Sequence, residues 1–357
     1  MNQNDNGQDL ILTDNNNLYG NIDFSPYDKV FVLVDGNTEE YCLPILRSQN
    51  VFPINNIIVV GPNGESRKSL NSCEKIWDVL TQNRATRHSL LVVVGGGLLC
   101  DVGAFAASLY KRGMDYVLMP TTLLAQVDAS LGGKTGVNFQ NLKNQIGLFS
   151  KPETIIVNPD FLLTLSLREL RSGYAEMIKH GLIADYSYFE RLSALTEIST
   201  TTLTKYILRS IEIKSEFVAA DPIEQGIRKG LNFGHTMGHA FESLSFSTQA
   251  KGTLSHGEAI ALGMVCETFI SSAIFNINSS LLEEVVQTVE KVVSIQNITI
   301  PEYAEIAALL YQDKKNRSGE LRMSLLKKPG EVTIDVAVTR EQVMDSLTYL
   351  AELKKIR

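Results

Sequence analysis

Three of the chain's five histidines stand in two short stretches, Asn232-Phe233-Gly234-His235-Thr236-Met237-Gly238-His239 and Ser255-His256-Gly257-Glu258. Imidazole is the commonest neutral metal ligand, and it titrates near neutral pH. His235 and His239 are four residues apart, so on a helix they share one face. The zinc-protease motif HExxH is absent, because Thr236 follows His235. A catalytic zinc takes three protein ligands and keeps one position open. His235, His256 and one distant carboxylate would supply them, and composition does not choose the carboxylate. The alternative reading is a pair of helix histidines with no ligand.

The first half holds a second group of residues with chemical potential. Val92-Val93-Val94-Gly95-Gly96-Gly97-Leu98-Leu99-Cys100-Asp101 reads as strand, glycine turn and helix. Such a turn lets backbone N–H groups approach a pyrophosphate at a helix N-terminus. The third glycine of GxGxxG is missing, since Cys100 occupies it, so this is not the ordinary dinucleotide fingerprint. Pro120-Thr121-Thr122 follows a strand end, where open α/β sheets bind ligands. Gly132-Gly133-Lys134-Thr135 ends like a P-loop, but no glycine stands five residues before Gly133, where GxxxxGK[ST] needs one, which excludes an NTPase. Lys134 could pair with a phosphate or an oxyanion, or be a solvated loop lysine. Glu176 and Lys179 share a helix face, and spacing alone favours a surface ion pair worth a few tenths of a kcal/mol. His180 reads as an ordinary polar-face residue.

Elements must position these groups. Strands are expected at Val30–Val34, Ile57–Val60, Leu90–Val94, Tyr116–Met119 and Thr154–Val157. Helices are expected between them, at about 38–49, 69–81 and 101–111. Continuous apolar strands alternating with helices indicate a parallel sheet covered on both faces. After Asn158-Pro159 strand signals almost vanish. Helical periodicity follows at about 166–184, 200–220, 233–248, 256–275, 280–295 and 340–355, with one hairpin turned by Lys328-Pro329-Gly330-Glu331. The fold class is therefore α/β plus all-α: a doubly wound, Rossmann-like domain over residues 1–158, with 1–17 flexible, and a mainly helical domain over 159–357.

A composition 44% hydrophobic and 20% charged is globular. The net charge of −7 argues against nucleic-acid and membrane partners. Four scattered cysteines with no CxxC pair read as reduced, mostly buried thiols of a cytoplasmic protein. The apolar stretch Ala259–Phe275 carries Glu267 inside, which argues against a membrane span.

The whole chain from about Val30 resembles the 3-dehydroquinate synthase family of sugar-phosphate cyclases. The resemblance rests on Gly95-Gly96-Gly97…Asp101, the run from Pro120 to Thr135, Lys143-Asn144, Gly173–Lys179, Leu231–Ala240 and His256-Gly257-Glu258-Ala259, in that order. It implies an NAD-binding domain, a helical metal domain and a site in the cleft between them. Glu176, His235 and His256 would hold a divalent metal, zinc or alternatively cobalt. NAD would lie along Asp35, Asn37, Gly64, Glu65, Lys68, Gly95, Gly96, Gly97, Asp101, Thr121 and Thr122, with Phe161, Thr164 and Leu165 at the domain junction. Lys134, Lys179, His239, Asp128 and Asn144 would carry catalytic roles. Arg112, Lys143, Lys214, Arg228, Asn232 and one or both of Lys314 and Lys315 would bind substrate.

The implied reaction converts 3-deoxy-D-arabino-heptulosonate 7-phosphate, a small sugar-acid phosphate, to 3-dehydroquinate and phosphate within aromatic amino acid biosynthesis. The family also implies a homodimer. An amino-dehydroquinate variant, a metal-dependent alcohol dehydrogenase and a non-catalytic NAD-binding protein are the competing readings. Two departures from the family pattern stand out: a long insert at Ser243–Leu254, and Asn63 where an acidic residue is often seen near NAD.

Overall fold

The computed structural model describes residues 2–3, 9–12, 23–49, 54–61, 64–140, 142–247, 253–297, 303–312 and 320–356. Asn63, Lys314, Lys315, the middle of the Ser243–Leu254 insert and most of residues 1–17 lie outside them. The chain divides into two compact units, Met1–Ser166 and Leu167–Arg357.

The first unit holds β1 (Asn2–Gln3), β2 (Asp9–Leu12), β3 (Val30–Val34), β4 (Asn56–Val59), β5 (Leu90–Gly95), β6 (Asp115–Pro120), β7 (Lys134–Phe139), β8 (Leu142–Phe149) and β9 (Thr154–Val157). Its helices are α1 (Gly36–Tyr41), α2 (Leu43–Gln49), α3 (Leu70–Gln82) and α4 (Gly97–Leu109). Seven strands form one sheet in the order β1-β2-β9-β6-β5-β3-β4. All neighbouring pairs are parallel except β1–β2. Side chains alternate across a strand, and here both faces are covered. Val30, Val32, Val34, Leu90, Val92 and Val94 pack with Cys42, Leu43 and Leu46 of the α1–α2 segment. On the other face α4 comes so close that a Cβ on Gly103 would meet Val93 Cγ2 at 2.7 Å and Leu33 Cδ2 at 2.8 Å. Close helix–sheet packing is the role of the third glycine in a dinucleotide fingerprint. Gly103 fills it one turn beyond the place where Cys100 stands.

The structure corrects several sequence expectations. The helix expected over 38–49 is two helices broken at Cys42, with Pro44 accommodated in the first turn of α2. α4 starts at Gly97, four residues earlier than expected, because Gly96 already serves as its extended N-cap. The β7–β8 hairpin carries residues read as loop. The unit boundary falls after the short 3₁₀ helix Pro159–Thr164, whose Phe161 packs into the sheet core.

The second unit comprises α5 (Leu167–Ala184), α6 (Tyr186–Ser193), α7 (Thr200–Leu203), α8 (Ile207–Ala220), α9 (His235–Ser247), α10 (His256–Phe275), α11 (Ser279–Val289), α12 (Tyr303–Gln312) and α13 (Arg340–Ile356). The hairpin β10 (Leu321–Lys328) with β11 (Glu331–Val338) is antiparallel. α6 and α12 had no counterpart in the sequence reading. α10 is long and apolar enough to cross a membrane by length and composition. Here it is a core helix, packed by α5, α9, α11, α13 and β10.

Candidate metal centre and cofactor site

In the first unit the candidate residues gather where strands end. The chain runs from β3 outward to β4, then returns to β5 on the other side of β3. That reversal is the switch point where open α/β sheets take ligands. Asp35 follows β3 and caps α1: its Oδ1 accepts the Thr38 N–H at 2.9 Å, and its Oδ2 accepts Arg67 Nη1 at 2.6 Å. Asn37 is exposed in the first turn of α1. Across the switch point, Gly95 ends β5, Gly96 caps α4 and Gly97 opens it. The Gly95 carbonyl accepts the Thr121 N–H at 3.0 Å, tying the tips of β5 and β6 together. Thr122 Oγ1 accepts the Ala125 N–H at 3.2 Å. Asp128 lies in a π-helical turn, Ala125–Ala129, a distortion frequent at functional sites.

Gly64, at φ +110°, leads into the 3₁₀ turn Glu65–Arg67. Lys68 follows, buried, and joins three elements. Its Nζ donates to Asp101 Oδ2 of α4 at 2.5 Å and to Asn144 Oδ1 of β8, and its carbonyl accepts the Asn138 N–H of β7 at 2.7 Å. Lys134, Lys143 and Asn144 are all exposed on the hairpin, and Arg112 is exposed after α4 at φ +68°. Thr164 is exposed and Leu165 half-buried. Phe161 is the exception, since its ring belongs to the sheet core. Sequence reading missed Arg67, whose signal was its place beside Lys68.

In the second unit Glu176 projects from α5, while His235 and His256 are the first residues of α9 and α10. One ligand atom from each lies within 4.8 Å of the others. Glu176 Oε1 is 3.6 Å from His235 Nε2 and 3.5 Å from His256 Nε2. Ligand bonds of about 2.0–2.1 Å in a tetrahedron place donor atoms about 3.3–3.4 Å apart, so this trio fits a divalent cation such as zinc. The tautomers fit as well. His235 Nδ1 lies 3.2 Å from the Phe233 carbonyl, so an Nδ1–H there leaves Nε2 with its lone pair. The Glu242 carboxylate lies 3.8 Å from His256 Nδ1, where its charge favours a proton on that nitrogen. Burial, then the charge of Lys179, holds His235 well below its ordinary range, which keeps it neutral. Burial also opposes charging of His256, but Glu176 and Glu242 together raise its pKa to about 9. A divalent cation would displace that proton from Nε2.

His239, Glu242 and His256 form a second such group. It shares His256, whose one neutral ring cannot ligate through both nitrogens.

In this unit the burial of charged and polar groups is unusual. Glu176 is 0% exposed, and Lys179, which pairs with it, 1%. These two were expected on spacing to be a surface pair. His180, read as a polar-face residue, is fully buried, with Nδ1 2.7 Å from Ser210 Oγ. α5 buries residues on every side, so position on the helix does not imply exposure. Lys214, one turn beyond Ser210 on α8, is buried, as is Arg228, whose Nη1 donates to the Pro222 carbonyl at 2.6 Å. Asn232 Nδ2 donates to Glu224 Oε1 at 2.8 Å, and His239 is exposed. Sequence reading missed Glu224, whose backbone is left-handed at φ +57°, and Glu242, three residues past His239.

Comparison with known proteins agrees over most of the length. Family models described as 3-dehydroquinate synthase N-terminal and C-terminal match residues 58–172 and 173–316. The 3-dehydroquinate synthase of Parabacteroides distasonis is 41% identical over 329 residues, covering 91% of this chain and 92% of that protein. That of Alkaliphilus metalliredigens is 37% identical, covering 90% of each. Among solved structures, ValA, the 2-epi-5-epi-valiolone synthase of Streptomyces hygroscopicus with NAD+ and Zn2+ bound, superposes with a TM-score of 0.83 at 25% identity, covering 97% of each chain. On this agreement the chain belongs to the 3-dehydroquinate synthase family.

Proposed function

We propose that the chain converts 3-deoxy-D-arabino-heptulosonate 7-phosphate to 3-dehydroquinate and phosphate, with NAD and a divalent metal ion. The observation that carries this reading is the three-ligand trio of Glu176, His235 and His256, in a unit that also buries Lys179, Lys214 and Arg228. Lys179 already faces Glu176, and a sugar-acid phosphate brings two further anionic groups of the kind that lysine and arginine side chains bind. The relatives named 3-dehydroquinate synthase and the NAD+ and Zn2+ in ValA support the same reading.

Glu176, His235 and His256 would hold the metal, which when bound orients and acidifies a substrate hydroxyl. The switch-point residues Asp35, Gly95, Gly96, Gly97, Asp101, Thr121 and Thr122 would hold NAD, with Asn37, Gly64, Glu65 and Lys68 beside them. NAD, when bound, accepts a hydride from one substrate carbon and later returns it. Arg228 would grip the substrate carboxylate through parallel N–H donors, with Asn232 beside it. Lys143, Lys214 and Arg112 would hold phosphate and hydroxyl oxygens. Lys134, Lys179, His239, Asp128 and Asn144 would orient developing charge and move protons, and the departing phosphate can itself take a proton from the neighbouring carbon. Four buried free thiols fit a reducing cytoplasm, and we infer a homodimer from the family resemblance.

The test supplies NAD at about the enzyme concentration with excess heptulosonate phosphate, following phosphate release, absorbance at about 340 nm and the product by NMR. Many phosphates per NAD, no lasting NADH signal and a 3-dehydroquinate spectrum are expected. NADH rising in step with product would replace this reading with a dehydrogenase.

A further inference from the structure

α10 carries one carboxylate in its apolar middle, Glu267, fully buried. Its partners are backbone amides at the start of α9. Oε2 accepts the Gly234 N–H at 2.6 Å, and Oε1 accepts the Met237 N–H at 3.0 Å. These two amides bracket His235. The first amides of a helix have no partner within it, and a carboxylate there both accepts them and complements the helix dipole. α9 has no side-chain cap of its own sequence for this work, because Phe233 and Gly234 precede it.

The two helices are close enough for a side chain of α10 to reach. A Cβ on Gly263 would stand 2.0 Å from the Gly234 carbonyl oxygen and 2.6 Å from the Gly238 nitrogen. Gly234 itself is left-handed at φ +80°. The chain is thus held on both sides of His235: by close backbone contact at Gly263, and by two hydrogen bonds one turn later at Glu267. The Phe233 carbonyl that faces His235 Nδ1 lies in the same bend.

We propose that Glu267 is a positioning residue for the metal centre, capping α9 from within α10 so that His235 presents Nε2 at fixed distance from Glu176 and His256. This rests on the reading of those three residues as metal ligands. The role differs from ordinary core packing, because Glu267 touches the backbone on either side of a ligand rather than the ligand or its apolar surroundings.

Glu267→Gln keeps the shape but turns one acceptor into a donor. It should weaken Zn2+ binding about 10- to 100-fold, the usual effect of losing an outer support of a metal ligand, measured by competition with a chromophoric chelator. It should also shift the visible absorption of the Co2+-loaded protein. Val343→Ala, in the buried face of α13, serves as the control for lost stability alone. It should leave both metal readouts unchanged at a similar fall in Tm. Glu267→Gln with wild-type Zn2+ affinity and an unchanged Co2+ spectrum would overturn the proposal. A second measurement does not need a variant: in metal-free wild-type protein the Gly234 and Met237 amides should be protected from hydrogen exchange. Exchange as fast as in an unstructured chain also overturns it. Wild-type protein that takes up no stoichiometric Zn2+ overturns the ligand reading and this inference together.

Discussion

The two units hold most of their candidate cations in opposite ways, with Lys68 a buried exception in the first. In the first, Lys134, Lys143 and Arg112 are exposed on a hairpin and a turn. In the second, Lys179, Lys214 and Arg228 are buried among helices. An exposed ammonium keeps its water and contributes about 0–1 kcal/mol to any pairing. A buried one has lost that water, so removing its partner costs about 3–5 kcal/mol. The first unit can offer movable charge to a ligand at little cost. The second has fixed its charge into the fold, Lys179 through its pairing with Glu176.

The largest expected effect tests the buried side. Glu176→Ala would remove one proposed metal ligand and leave Lys179 without this carboxylate. Turnover should fall about 10³-fold or more, with loss of bound metal, measured by phosphate release and metal analysis. A near-normal rate with full metal content would take Glu176 out of the site. Next, Arg228→Ala should weaken a phosphonate substrate analogue by about 2–3 kcal/mol, roughly 30- to 150-fold, and leave NAD binding almost unchanged. Calorimetry with each ligand separates the two, and equal losses would remove Arg228 from substrate binding. Lys143→Ala tests the exposed side and should cost about 1 kcal/mol or less, roughly fivefold in KM. If it matched Arg228→Ala, exposure would not be what distinguishes the two units.

An effect of similar size lies away from both groups. Asp185 caps α6 through the Tyr188 N–H and pairs with Arg209. Partial burial would raise its pKa, but the Ser187 hydroxyl, Arg209 and the Tyr188 amide outweigh that and hold it below the ordinary 3.8. A carboxyl depressed in the folded state stabilises above its unfolded pKa and loses that contribution as pH falls through the folded one. Asp185→Ala should therefore cost about 1 kcal/mol at neutral pH, and the difference from wild type should shrink as pH falls through the depressed folded pKa. Chemical denaturation across that range reads it. A penalty independent of pH would assign the effect to packing.

Much of this was legible in the sequence where local chemistry decides the outcome. Strands β3 and β9 and helix α10 have the expected bounds, because an unbroken apolar run and a Ser255–Glu258 capping box are local signals. The third member of the candidate metal trio was not legible from spacing, and Glu176 entered through family resemblance. The β7–β8 hairpin escaped because Gly136 and Gly147 interrupt its β pattern, although each lies so near the opposite strand that a Cβ would meet its backbone. The burial of His180 and of the Glu176–Lys179 pair escaped for another reason. Ser210, which meets His180, is 30 residues away, and no periodicity in α5 announces such a partner. Glu267 did leave a trace: a lone carboxylate inside an apolar helix needs donors, and the sequence does not say that they are backbone amides of α9.

Lys68 joins Asp101, Asn144 and the Asn138 amide, and this bears on the order in which ligands bind. Under the proposed function Asp101 faces NAD while Asn144 faces substrate. A ligand that changes the Lys68–Asp101 contact then changes what Lys68 offers Asn144. Linkage requires the reverse effect to be of equal size, so substrate must alter NAD affinity by the same factor that NAD alters substrate affinity. Calorimetry of NAD with and without the phosphonate analogue measures that factor, and Lys68→Met should bring it to one. An unchanged factor would place the coupling elsewhere. One ammonium group would otherwise let cofactor and substrate report their occupancy to each other within the first unit alone.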